Sequence, residues 1–392
     1  MNRVVCIILL AVTLCISSCN GGKTIYEEQP PSISLSSTYP VYQVALNNEI
    51  TISPIIENDD NAVYAWRIGS TTIGTDKKLV FKGETTGLYN ILFNVTTEYG
   101  EASADIKIIV YDTGTYRPFD DISSSSVTDI LTYMPAPGQF INDNGAGFSD
   151  ITTMEKANRY VEQRFKESKW VSLGAFGGYL IGKFDHSVFN DGGYNIAIIG
   201  NAITTMSEPG IVWVMSDENK NGEADDTWYQ LKGSDFDSEN TISDYSVTYY
   251  RPTTPKADVE WTDNLGGSGT VDHLSDYHDA DTYYPLWIES DTYTLSGVRL
   301  EAHNVQDAMG FWSSTPYGWG YADNYSDIDG TQTSEGYTNY FKINNAVDAE
   351  GENVHLQSVD FIKIQTGVNG KSGILGELST EIVGIIDYNL IK

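Results

Sequence analysis

Cysteine is nearly absent from this 392-residue chain, and its three copies, Cys6, Cys15 and Cys19, all fall within the first 19 residues. Beyond Cys19 there is no thiol, which excludes intrachain disulfides, thiol catalysis and cysteine-ligated zinc. Stability must come from burial, and the length suffices for two or three cores. Basic residues are scarce as well: 23 Lys and Arg stand against 54 Asp and Glu, a net charge of −31. Such an excess repels nucleic acid, which requires clustered Lys and Arg, and it repels anionic membrane surfaces. It suits an exposed domain that holds cations. Catalytic signatures are missing too. There is no G-x-S-x-G elbow and no H-E-x-x-H, and Gly370-Lys371-Ser372 has Gln365 where a P-loop needs its first glycine. No enzymatic activity is expected.

The apolar run at residues 4–14 follows Arg3 and is too short for the roughly 17–25 residues of a transmembrane helix. Small residues Ser17 and Ser18 precede Cys19, so residues 1–18 read as a lipoprotein signal peptide. The mature chain is then expected to begin at a lipidated Cys19. Asn20 beside it gives no inner-membrane retention signal, which favours the outer membrane, facing outward and held only by the lipid. Residues 19–32, with Gly21-Gly22 and Pro30-Pro31, read as a flexible tether.

Residues 33–112 alternate in short apolar segments without helical period. Runs at 49–54, 63–68, 79–81, 89–95 and 104–110 imply about seven short strands, an immunoglobulin-like sandwich with Trp66 on its inner face. The motifs GLYNI at 87–91 and VTTEYG at 95–100 resemble the late strands of PKD-type domains. Residues 113–130, with Gly114, Pro118 and serines 123–126, read as a linker. The remaining 131–392 are again strand-like, with clear strands at 194–199, 210–215, 245–250 and 359–364. One helix is expected, capped by Thr152 with Glu155 and carrying Met154, Ala157, Val161 and Phe165 on one face. The expected fold is all-β: a PKD-type sandwich followed by a larger jelly-roll-like sandwich with one helix, its long loops carrying the ligand site.

Two constellations carry chemistry. Residues 217–226 (DENKNGEADD) place oxygen ligands at Asp217, Asn219 and Asn221, then Gly222 for the turn. Glu223 offers a carbonyl, and Asp225 or Asp226 closes the shell, so a structural calcium ion is expected. Trp228 occupies the place of the final EF-hand glutamate, so the loop is no EF-hand. The alternative is an acidic loop whose Asn and Asp bond their own backbone. The second constellation is residues 311–324 (FWSSTPYGWGYADN), where Trp312, Tyr317, Trp319 and Tyr321 crowd together with glycines. Flat aromatic faces suit a sugar ring or a planar macrocycle. Trp261, Tyr283 and Tyr284 flank a neighbouring long loop and are expected to form the opposite wall. The alternative is a loop burying its own aromatics.

From 135 to 385 a series of motifs occurs in order: PAPGQF at 135–140, VSLGAFGG at 171–178, SEPGIV at 207–212, DTWYQLKG at 226–233, YPLWI at 284–288 and WGYADN at 319–324. With the N-terminal segment they resemble PKD-domain cell-surface lipoproteins of Gram-negative gut anaerobes. Some related surface lipoproteins accompany TonB-dependent transporters for cobalamin. The resemblance therefore implies capture of a corrinoid and its delivery to such a transporter; composition and spacing imply neither. A surface glycan-binding protein with the same aromatic platforms is the alternative, and a non-catalytic adhesin is a third reading.

Overall fold

The computed structural model describes residues 29–35 and 41–391. The signal peptide, Cys19 and most of the tether lie outside these residues. The chain divides into two compact units interleaved in sequence: 1–36, 53–79 and 92–105 form one, and 37–52, 80–91 and 106–392 form the other.

In the first unit, Val63–Ile68 pairs antiparallel with Thr71–Gly74, and Trp66 stands opposite Phe93. Alternation turns every second side chain inward, and Trp66, Phe93 and Val95 are all 0 % exposed. The Trp66 and Phe93 rings stack at 4.0 Å, and the indole N–H donates to the Asp76 carbonyl at 2.8 Å. An indole buried on an inner face needs such a partner. A fully buried side chain of this size contributes about 1.5–3 kcal/mol.

The second unit is built on two antiparallel sheets sharing one core. A six-stranded sheet contains the long strands Tyr179–Phe189, Gly210–Met215 and Ser358–Thr366. A five-stranded sheet contains Ile196–Gly200, Tyr337–Phe341 and Glu381–Asp387. Leu180, Phe184, Val212 and Ile364 of the first meet Ile196, Ile198, Ile382 and Ile385 of the second. The strands are apolar on consecutive positions because both faces are covered. Helix α1 (Met154–Lys166) closes the core with Ala157, Tyr160 and Val161. Its N-cap is Thr153, whose hydroxyl accepts from the Lys156 N–H at 3.3 Å, one residue later than the expected Thr152. A four-stranded sheet, Ile242–Tyr250, Val259–Asp263, Ser268–Val271 and Thr292–Arg299, has its own core around Val247, Tyr249 and Leu295. Among the described residues α1 is the one α-helix, and no helix is long and apolar enough to cross a membrane. The architecture is all-β with several antiparallel sheets.

Residues 113–130, expected to be a linker, are anchored in the second unit. Tyr116 and Phe119 are buried with Phe189 and Leu390, and Arg117 donates to the buried Asp360 at 2.8 Å. Serine and glycine suggest a flexible stretch, yet two aromatics and an ion pair hold it down.

Candidate functional site

The aromatic loop at 311–324 is shaped from beneath by amide side chains. Asn324 accepts from the Tyr317 N–H at 2.8 Å and donates back to the Tyr317 carbonyl at 3.0 Å. Asn339, on strand Tyr337–Phe341, donates to the Asn324 carbonyl at 2.7 Å, and the Ser326 hydroxyl donates to the Gly318 carbonyl at 2.6 Å. Gly320 has φ +87°, and a Cβ there would approach the Gly233 Cα to 2.5 Å, so only glycine fits. Ser234 fixes the tip, its N–H donating to the Trp319 carbonyl at 2.9 Å. The loop thus satisfies its own backbone and leaves the Trp319 side chain half-buried at its tip.

Trp319 forms one wall of a cleft of about 220 Å³ whose other walls are Tyr194, Tyr340 and Lys342, with Asp329 and Asn345 between them. Tyr340 is the outward residue of its strand, and its ring lies 5.9 Å from that of Tyr194. The Lys342 ammonium sits over the Tyr194 ring at 4.9 Å. Asp329 is 5 % exposed. Its Oδ2 accepts from the Gly320 N–H at 2.6 Å, while its Oδ1 is buried without a partner. Burial raises the Asp329 carboxyl above its ordinary pKa. Aromatic faces, one acceptor oxygen awaiting a donor and one ammonium are suited to an uncharged ligand with both C–H faces and hydroxyls. A larger hollow of about 450 Å³ beside α1 is lined by Phe165, Glu162, Val383 and Ile385. Phe165 is its single aromatic, and none of its lining groups is buried without a partner.

The other aromatic side chains named from the sequence are dispersed. Tyr317 and Tyr321 are buried in a core with Ile211 and Leu300, their hydroxyls engaged by the Glu301 carbonyl at 2.6 Å and the Asp235 N–H at 3.0 Å. Tyr283 and Tyr284 are fully buried under the four-stranded sheet. Trp261 lies on that sheet against Gly269, and Trp312 packs on Gly373. Four tyrosines are therefore core residues, and the expected opposite wall is supplied instead by Tyr194 and Tyr340. Asp329, Lys342 and Asn345 were not singled out from the sequence. Strand Tyr337–Phe341 is buried at every position but Tyr340, so no local alternation in the sequence marked them.

In the loop at 217–226, Asp217 Oδ2 accepts from the Gly222 N–H at 3.0 Å, and Asn221 donates to both Asp225 oxygens at 3.2 and 3.0 Å. Asn219 donates to Asp225 at 3.3 Å, the Asp226 carboxylate accepts from the Glu218 N–H at 3.0 Å, and the Glu223 N–H donates to Asn221 at 2.7 Å.

A second acidic group is assembled from distant segments. Glu208, Asp323 and Glu381 bring carboxylate oxygens within 4.8 Å of one another, a spacing at which a metal ion fits. Asp323 accepts from the N–H groups of Asn201 at 3.0 Å and Glu381 at 2.9 Å. Glu208 accepts from the Ser379 N–H at 3.1 Å, and the Ser379 hydroxyl donates to Glu381 at 2.6 Å. Burial, then mutual repulsion, drives Glu208 and Asp323 well above the ordinary carboxylate range, and burial raises Glu381.

Comparison with known proteins finds one family model that matches part of the chain. Residues 30–97 match the family model of PKD-like domains. No curated protein matches the chain. Among solved structures, a SusE-like protein is similar at 8 % identity over 90 % of this chain and 94 % of its own, with a TM-score of 0.24. A carbohydrate-binding module of the β-sandwich superfamily aligns at 12 % identity over 92 % and 98 %, with a TM-score of 0.19. A quinoprotein alcohol dehydrogenase-like protein from Bacteroides thetaiotaomicron aligns at 16 % identity, with a TM-score of 0.19. That match spans 25 % of this chain and 23 % of the relative's length.

Proposed function

We propose that this chain is a non-catalytic, lipid-anchored surface protein that binds one ring of a neutral glycan in the Trp319 cleft. The observation that carries the reading is the buried, unpartnered Oδ1 of Asp329 between aromatic walls. A sugar hydroxyl supplies the donor this oxygen lacks, and the sugar's C–H face covers Trp319. The lining holds a single carboxylate, whereas glycoside hydrolysis uses a pair, so binding is favoured over cleavage. The cleft's 220 Å³ is below the roughly 300–1,000 Å³ of sites for drug-sized ligands. A corrin ring is larger still, so the cleft suits a single hexose better than cobalamin.

The test is a glycan array followed by calorimetry on the purified full chain, with cyanocobalamin as a second titrant. Saturable binding of a glycan that Trp319→Ala weakens about tenfold supports the reading, tenfold being about 1.4 kcal/mol. Absence of any glycan ligand overturns it. Saturable cyanocobalamin binding returns the chain to the corrinoid expectation and makes a TonB-dependent transporter its partner.

A further inference from the structure

We propose that residues 217–226 hold a divalent cation of the calcium type, in a site formed by Asp217, Asn219, Asn221 and Asp225. Acid-rich loops are common without ions, and the internal hydrogen bonds of this one do not distinguish the cases. Asp217 does. It is 2 % exposed, and its carboxylate is turned into the loop, with Oδ2 on the Gly222 N–H at 3.0 Å. Its other oxygen, Oδ1, is buried and has no partner.

The surroundings do not neutralise this carboxylate. Its backbone N–H donates to Asp360 at 2.7 Å, and Asp360 is already paired with Arg117. Lys183 donates to the Gly222 carbonyl at 2.8 Å, and among the described residues neither it nor any other cation forms an ion pair with Asp217, Asp225 or Asp226. A buried carboxylate with a bare oxygen is costly until a cation or donor reaches it. Asp225 stands across the loop, drawn inward by both amides. The oxygens of those amides now accept the Asn221 N–H at 2.9 Å and the Glu223 N–H at 2.7 Å. Rotation of the two side chains on cation binding would exchange these bonds for an all-oxygen set beside the two carboxylates. Gly222, at φ +74°, supplies the turn that such a loop needs. An exposed, adaptable loop accommodates calcium's variable coordination better than the strict octahedron of magnesium.

The buried triad of Glu208, Asp323 and Glu381 is the competing site. Its carboxylates are engaged by the N–H groups of Asn201, Ser379 and Glu381 and by the Ser379 hydroxyl, so it lacks the bare oxygen found at Asp217. The cation proposal is independent of the glycan reading, because no residue of the loop lines the Trp319 cleft.

The experiment titrates the purified, EDTA-stripped full chain with calcium chloride by calorimetry and follows its melting temperature. Terbium luminescence sensitised through Trp228, two residues beyond Asp226, reports the location. One calcium per chain, a melting temperature raised by calcium and restored by EDTA, and a loss of at least tenfold in affinity for Asp225→Asn are expected. Asp225 is exposed, so that variant should fold as the parent does; its circular dichroism in EDTA checks this. No heat and no change in melting temperature at millimolar calcium overturns the proposal. Binding that survives Asp225→Asn and is lost in Glu208→Gln also overturns it, placing the cation in the triad.

Discussion

The loop at 217–226 and the triad of Glu208, Asp323 and Glu381 are both clusters of carboxylates, and they solve the problem of like charge in opposite ways. The loop lies largely at the surface, where water screens its repulsion, and only Asp217 reaches the interior. The triad draws its members from three separate segments into the protein, where desolvation and mutual repulsion favour holding protons. Proximity of acids in sequence therefore says little about their charge state; burial decides it. The cation proposed above belongs to the first cluster, while burial and repulsion favour protons on the second.

Breaking the triad should have the largest effect. Asp323→Ala leaves the N–H groups of Asn201 and Glu381 without their acceptor, at about 1–3 kcal/mol each, so a loss of about 2–6 kcal/mol is expected in urea unfolding. A loss under 1 kcal/mol would mean the carboxylate's repulsion cancels its bonds.

Glu377 sharpens the comparison through pH. It lies near the triad, 4 % exposed, with Oε1 on the Gln139 N–H at 2.9 Å, and burial raises it from 4.5 to about 8. The native state keeps this proton where the unfolded chain has released it. The contribution is thus full below about 4.5 and is lost as pH rises through about 8. Melting temperature should fall across that window, with at most about 5 kcal/mol at stake. Glu377→Gln should flatten the profile; an unchanged slope would assign the pH dependence elsewhere.

The smallest effect belongs to the exposed loop without metal. Asp225→Asn in EDTA should change stability by no more than about 0.5 kcal/mol, as surface substitutions do, and its effect should appear only with calcium present. A large change in EDTA would mean that the loop's internal hydrogen bonds already serve as its staple.

The same contrast explains what could be read from the sequence. Strand Val63–Ile68 with its buried Trp66, strand Gly210–Met215 and helix α1 follow from local periodicity, a property of neighbouring residues. The acidic loop is contiguous and legible for that reason. The triad spans residues 208 to 381 and exists only once the sheets have paired. Aromatic density marked the loop at 311–324, but side-chain direction divided its members: Tyr317 and Tyr321 turned into a core, and Trp319 stayed half-exposed at the tip. The partners of Trp319 came from strand Tyr337–Phe341 and from Tyr194, over a hundred residues away in sequence, which no local pattern reveals.

The asparagine staple beneath the aromatic loop separates holding from touching. Asn324, Asn339 and Ser326 keep the loop's path by bonding its backbone, and Trp319 takes part with its main chain while its indole faces the cleft. A residue in that position can be exchanged without loosening what carries it. On the proposed glycan reading, ligand preference would be adjustable at one side chain, on a frame whose stability is provided elsewhere.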